Sequence, residues 1–419
     1  MKILRIIARL NVGGPARHVV WLTKELQDDE FQTVLIAGTV PDGEGDMSYF
    51  AAENGVEPIY LKEMSRELSI RDLISIHKIY RYIRRESPDI VHTHTAKAGT
   101  VGRVAVFMYR WLTWSTLVLK PRNVRSVHTF HGHVFHSYYG RFKTAAFLRI
   151  EKLLARFATN KILAISSQQL NEINGKFGVG RKDQFSVIPL GIDTDSMVAN
   201  ESDRKAFREE VGATERDVLV GFVGRLTEIK DLSHLLRVAA MYNDLSRSAK
   251  PSIKFLIVGD GHLRESLQRE AEGLGVLETV IFIGNRKDIS TVYSGLDLVA
   301  LTSKNEGTPL SLIEAMAADR AFISTEVGGV VDLLGDVRED AGGFKICERG
   351  IGVEPGSTES YLSAVLRLAE NKQLREKMGH AGRDFVEKHY SKQRLVADIK
   401  ELYRDLAGAR AENSPVIDE

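Results

Sequence analysis

A single cysteine, Cys347, stands in 419 residues. It allows no intrachain disulfide and no multi-cysteine metal site, which suits a reducing compartment and the cytoplasmic side. An excess of one charge is lacking as well: 57 Lys+Arg against 56 Asp+Glu leave a net charge of +1. The basic surplus that marks nucleic-acid binders is missing, so no nucleic-acid partner is expected. Long apolar runs are also scarce. The best candidate, Val104 to Leu119, is broken by Arg110 and falls short of the roughly 20 residues of a spanning helix, so no transmembrane segment is expected. Lys2, Arg5 and Arg9 interrupt the N-terminal apolar run, which denies it the core of a signal peptide; it reads as a first strand.

What remains is globular in composition, 43% hydrophobic and 27% charged, and long enough for two domains. Short β-branched runs at 3–8, 34–37, 90–94, 124–130 and 162–165 alternate with amphipathic segments, and a second series follows at 218–223, 255–258, 280–283, 298–301 and 322–324. Such alternation predicts parallel sheets with helices on both faces, an α/β chain of two Rossmann-like, doubly wound domains. The polar stretch Ile192 to Arg204 reads as the linker, with the boundary placed near residue 198. The expected division is 1–198, 199–390, a helix over 391–408 that packs back towards the first domain, and a tail at 409–419. Ligands of such sheets bind outside the carboxyl ends of the strands, where the connections change direction. Two such edges are expected to face one cleft.

Three segments sit at those strand ends. Gly13 and Gly14 precede Pro15 at the first turn of a helix, either as a tight turn or as a backbone that approaches an anion. The segment is not the G-x-G-x-x-G of dinucleotide dehydrogenases. Arg225 and Lys230 follow the strand ending at Gly224; they are either surface cations or a pair suited to a departing diphosphate. In LTSKNEGTPLSLIEAMA, Thr308 reads as an N-cap and Pro309 as the first helical residue. That places Glu306 in the loop and Glu314 in the second turn, where each could accept hydrogen bonds from hydroxyls.

Glu306 and Glu314 form an E-x7-E pair. With Gly307-Thr308-Pro309, VGRL-x3-K, VGDG at Val258 to Gly261 and GGPA near the start, the chain resembles the retaining glycosyltransferases of family four, enzymes of the GT-B fold. The resemblance implies that Arg225 and Lys230 hold the donor diphosphate, Glu314 the ribose and Glu306 the transferred sugar, with backbone N–H groups around Thr308, Pro309 and Leu310 assisting. It places Gly259, Gly261 and Arg286 near the nucleotide, and Gly13 and Gly14 near the donor phosphate and acceptor. From its TFH segment, His131 would meet the transferred sugar; His94 is an acceptor-side candidate.

Histidines recur at 92, 94, 128, 131, 133 and 136. Their alternation mixes faces and no H-E-x-x-H accompanies them, so no metal or other cofactor is expected. Asp193-Thr194-Asp195 spells a D-x-D, but it enters the linker, far in sequence from the diphosphate segment. Arg103 to Arg125, apolar with basic ends, is either a buried helix and strand or a segment lying in a membrane interface. The expected activity is retaining transfer of a sugar from a nucleotide sugar, UDP-linked rather than GDP-linked, to a lipid-linked or saccharide acceptor in polysaccharide biosynthesis. The enzyme would be cytoplasmic or peripheral at the inner membrane face. The alternatives are a sugar-nucleotide 2-epimerase of the same fold and a noncatalytic sugar-nucleotide-binding subunit.

Overall fold

The computed structural model describes residues 1–11, 13–41, 45–64, 71–113, 116, 121–131, 141–245 and 251–411. They form two compact units, Met1–Gly191 with Lys392–Glu419, and Ile192–Ser391. The chain enters the second unit at Ile192, ahead of the position near 198 that polarity suggested, because Ile192 and Met197 are buried in the second unit's core. The helix Lys392–Ala411 belongs to the first unit: Leu395, Ile399, Leu402 and Tyr403 are buried against Ile3, Leu22, Phe31 and Ile90.

The first unit carries a seven-stranded sheet: β1 Lys2–Ile7, β2 Gln32–Gly38, β3 Ile59–Leu61, β4 Ile90–His94, β5 Arg125–Thr129, β6 Lys161–Ala164 and β7 Phe185–Val187. The order is β3-β2-β1-β4-β5-β6-β7, and every pairing is parallel. Period-two alternation directs the strand residues. On β1, Leu4 and Ile6 join the cluster formed with the helices Asp72–Glu86 and Ala96–Trp111. Ile3 and Ile7 turn to the other face, where the helices Gly14–Glu25 and Lys392–Ala411 lie.

The second unit has eight strands: β8 Val218–Val223, β9 Ile253–Val258, β10 Val280–Gly284, β11 Leu298–Leu301, β12 Ala321–Thr325, β13 Val337–Asp340, β14 Phe344–Cys347 and β15 Gly350–Val353. Their order is β10-β9-β8-β11-β12-β15-β14-β13. The first six are parallel, and β14 and β13 add an antiparallel edge. Strand β15 was not legible in the sequence because it reads GIGV. Side chains at Gly350 and Gly352 would collide with the Phe322 carbonyl and the Glu326 side chain, so the glycines reflect close packing within a strand.

Among the parallel strands of each sheet the order reverses once, between β1 and β4 in the first unit and between β8 and β11 in the second. These are the crevices where doubly wound sheets take ligands.

Within the described part of Arg103 to Arg125, the face of the helix Ala96–Trp111 that carries Arg103 is interior, whereas Leu112 just past it is 64% exposed. Arg103 is fully buried and its Nη2 lies 2.7 Å from both carboxylate oxygens of the equally buried Glu151. Val101, Ala105, Val106 and Tyr109 line the core of the same helix. That outcome follows the buried-helix alternative for the segment up to Trp111; residues 114–115 and 117–120 lie outside the described residues. No helix among the described residues is long and apolar enough to cross a membrane.

Candidate active site

At the crevice of the second unit, the loops after β8 and β11 are stitched together. The Lys304 amide donates to the Ile229 carbonyl at 2.8 Å, and Thr302 Oγ1 lies 3.0 Å from the carbonyls of both Lys230 and Asp231. This brings two predicted residues into contact: Lys230 Nζ is 2.5 Å from Glu306 Oε1, which also accepts a 2.5 Å bond from Ser303 Oγ. Both side chains keep a solvent-facing edge, 20% for Lys230 and 10% for Glu306. Arg225 is exposed just past β8, with no hydrogen-bond or ion-pair partner among the described residues.

The helix after Glu306 runs Leu310–Ala317 and is preceded by an extended Pro309. It therefore starts one residue later than expected, and Thr308 makes no side-chain cap. Glu314 still falls in its second turn and is buried, with Tyr293 Oη 3.1 Å from its Oε2. Tyr293 also donates to the Ser311 carbonyl, so it fixes both helix and carboxylate. Gly328, at φ +55, lets the following loop close on Glu306: a Cβ there would sit 1.9 Å from the Glu306 carbonyl.

Three predicted residues, Gly259, Gly261 and Arg286, have evident structural duties. Cβ atoms at Gly259 and Gly261 would lie 1.9 Å from the Gly224 carbonyl and 2.4 Å from that of Leu226. The loops after β8 and β9 can approach this closely only through glycine. Arg286 is held by both oxygens of Asp288 and by Glu210, and lies over the Phe207 ring. Its hydrogen-bonded carboxylate neighbours push its guanidinium pKa up.

At the crevice of the first unit, Gly13 takes φ +154 as it enters the helix Gly14–Glu25. His94 ends β4, and His131 lies two residues past β5. His94 Nδ1 and His131 Nε2 are 2.9 Å apart. A third imidazole completes the group. His18, in the helix after the glycines, is buried with its ring centroid 4.9 Å from that of His131 and 5.6 Å from that of His94. His18 belongs to no sequence motif; its one signal is its place a turn into the helix Gly14–Glu25, which starts at the crevice. The histidines are less divided between faces than their alternation predicts. His128 does face away, packed on Gly99 and 2.9 Å from Thr93 Oγ1, but helix and strand ends bring the other three together. His133 and His136 lie outside the described residues.

Burial drives His131 down to about 3. His18, His92 and His94 also lie well below the ordinary value, through burial and then through neighbouring positive groups that include Arg5. All four imidazoles are therefore neutral near pH 7. His92 is fully bonded, to Tyr403 Oη and Thr129 Oγ1 at 2.7 Å each. The aspartates of the D-x-D lie apart from any such cluster: Asp195 is exposed at the start of a short turn, Asp195–Met197. Among the described residues, His18, His94 and His131 form the one group whose ligand atoms could surround a metal ion.

Comparison with known proteins bears on both units. Residues 12–196 match the model for Glycosyltransferase Family 4, and residues 203–385 that for Glycosyl transferases group 1. The chain is 26% identical over 380 residues to the UDP-Gal:α-D-GlcNAc-diphosphoundecaprenol α-1,3-galactosyltransferase of Escherichia coli, covering 88% of this chain and 91% of that one. It is 25% identical to the capsular polysaccharide biosynthesis glycosyltransferase CapM of Staphylococcus aureus, covering 81% and 83%. The crystal structure of Anabaena HepE with UDP superposes with a TM-score of 0.76 at 20% identity, covering 97% of this chain and all of that one.

Proposed function

We propose that this chain, which belongs to the family 4 glycosyltransferases and has their GT-B fold, moves a sugar from a UDP-sugar to a lipid-linked saccharide with retention of the anomeric configuration. The observation that carries the donor assignment is the Lys230–Glu306 pair at the β8/β11 crevice. Each partner satisfies the other. When a sugar diphosphate enters, Lys230 turns to the phosphate and Glu306 to sugar hydroxyls, so neither charge is left buried alone. Arg225 adds a planar donor to the leaving diphosphate, and Glu314, oriented by Tyr293, takes the ribose. In the first unit a neutral His131 hydrogen-bonds the transferred sugar, with His94 on the acceptor side.

The two glutamates arise from one loop and one helix of the same unit, where they serve binding. The leaving diphosphate itself accepts the proton of the attacking hydroxyl on the same face of the sugar, which retains configuration. Positive charge already fixed at the diphosphate makes a metal ion unnecessary for this step. The similarity to enzymes named for UDP-galactose, a diphosphoundecaprenol-linked acceptor and capsule biosynthesis supports the UDP donor and the lipid-linked acceptor.

A membrane-facing surface suits such an acceptor. Arg103 itself is interior, and the helix Arg141–Phe157 offers basic and apolar groups for that surface. Arg149, Lys152, Leu153, Arg156 and Phe157 are all exposed on it, a composition that docks on anionic lipid. Flotation with anionic vesicles, weakened by salt and by Leu153→Glu with Phe157→Glu, is the expected outcome; equal recovery on neutral vesicles overturns it.

The test of activity is release of UDP from UDP-sugars with and without a lipid diphosphate-linked saccharide, in excess EDTA. Acceptor-dependent release and an α-linked product from an α-linked donor are expected. A donor converted to its epimer without acceptor, or a donor bound and never consumed, overturns the transferase reading. Loss of release in EDTA with recovery in Mg²⁺ overturns metal-free transfer.

A further inference from the structure

We propose that His18, His94 and His131 bind a divalent transition-metal ion of the zinc class, and that the bound ion switches transfer off by withdrawing His131 from the sugar. The binding clause stands on geometry alone, whereas the switch clause rests on the function proposed above.

Three imidazole rings face one another with centroids 4.9, 5.2 and 5.6 Å apart, and one nitrogen from each lies within 4.8 Å of the other two. A zinc ion bound at about 2.0–2.1 Å in tetrahedral geometry spaces its ligand nitrogens by about 3.3 Å. The His94–His131 pair, at 2.9 Å, is close to that spacing, and bringing His18 in takes a shift of at most about 1.5 Å. The nitrogens also have a reason to accept an ion. His18 is only 3% exposed, yet both its ring nitrogens lack a hydrogen-bond partner, as do His94 Nε2 and His131 Nδ1. Buried polar atoms without partners are costly and rare in folded proteins. Metal bonds to three imidazoles would employ one orphaned nitrogen of His18 and replace the single bond that His94 and His131 share.

The donor set selects the ion. It contains three nitrogens and no carboxylate, so it offers nothing to Mg²⁺ or Ca²⁺, which take oxygen ligands. Arg5 and Arg394 contribute positive charge nearby, which opposes any cation that does not bond imidazole strongly. Zn²⁺ and Co²⁺ do so. Three protein ligands leave a fourth position for water or an anion. His131 Nε2, the nitrogen that meets His94, cannot hydrogen-bond a sugar while it holds the ion, and the other ring nitrogen, Nδ1, is buried, so occupancy and transfer exclude each other.

The test uses the whole protein, stripped of metal and free of chelator, titrated with Co²⁺. Visible absorption of tetrahedral, nitrogen-ligated Co²⁺ is expected at one ion per chain. It should disappear on adding Zn²⁺ and persist in a thousandfold excess of Mg²⁺. His18→Gln should weaken Co²⁺ binding at least tenfold, while His380→Gln, at an exposed histidine beside Asp319, should leave it unchanged. If His18→Gln fails to fold by circular dichroism, His131→Gln must show the same loss. Absence of the bands, or bands unchanged in the folded variant, overturns the site. Zn²⁺ at the concentration that displaces Co²⁺ should abolish acceptor-dependent UDP release; undiminished release overturns the switch and leaves the site standing. A protein that binds Co²⁺ through His18 but never transfers a sugar overturns the proposed function and the switch with it.

Discussion

The charged residues of the second crevice are paired with each other or exposed, which makes their removal informative. Arg225 has no partner among the described residues, so Arg225→Ala should fold normally and lose on the order of a hundredfold in turnover, the scale of one preorganised transition-state donor. Turnover near wild type would remove it from the diphosphate. Glu314→Gln keeps the shape of the side chain beside Tyr293 but loses a charged acceptor, so UDP-sugar affinity measured by calorimetry should fall about tenfold or more. The histidines carry a pH signature. In the unfolded chain they take protons near about 6.5, whereas burial holds His131 at about 3 and His18, His92 and His94 well below their ordinary value. The unfolded state therefore binds more protons between those limits. Stability is full above about pH 6.5 and is lost as the pH falls towards about 3. The urea midpoint should drop between about pH 8 and about pH 5.5, and less so in His18→Gln; a flat profile would contradict neutral burial. The sequence identified His94 and His131 but missed His18, because side chains that converge from a helix and two strand ends leave no local pattern.

At the scale of elements, motif glycines separate into those the backbone requires and those left open to a ligand. Gly259 sits at φ +133 with its Cβ position 1.9 Å from the Gly224 carbonyl. Gly259→Ala should therefore destabilise the ligand-free protein by about 2 kcal/mol or more, which denaturant unfolding without nucleotide would reveal. Unchanged stability would return the residue to a purely nucleotide-contacting role. The helices Ala96–Trp111 and Arg141–Phe157 are joined through the Arg103–Glu151 pair, both fully buried. Glu151→Ala strands the guanidinium and should cost about 3–5 kcal/mol, whereas Arg103→Met with Glu151→Leu should cost far less. The long central strands were legible from their β-branched runs. The short edge strands β3 and β7 and the glycine-bearing β15 were not, since three or four residues carry too little periodicity.

For the whole molecule, the end of the chain completes its beginning. Leu395, Ile399, Leu402 and Tyr403 are at most 7% exposed in the first unit's core. Truncating one buried leucine costs about 2–5 kcal/mol. Deleting residues 392–419 therefore removes more than a domain's usual margin of about 5–15 kcal/mol. Amide exchange should find 1–191 unprotected in that deletion and 192–391 still protected. Protection of both would show that the helix is dispensable.

Composition and periodicity determined the two α/β units and their long central strands, and turn and helix-start signals placed Glu306 in a loop and Glu314 in a helix, because alternation, turn glycines and helix patterns are local properties of the chain. Tertiary structure decided where the units divide, that the last helix returns to the first unit, that Lys230 meets Glu306 and that His18 joins His94 and His131. Each of these depends on residues far apart in sequence being carried to one sheet edge. Strand order sets that placement, and strand order leaves no mark on any single segment.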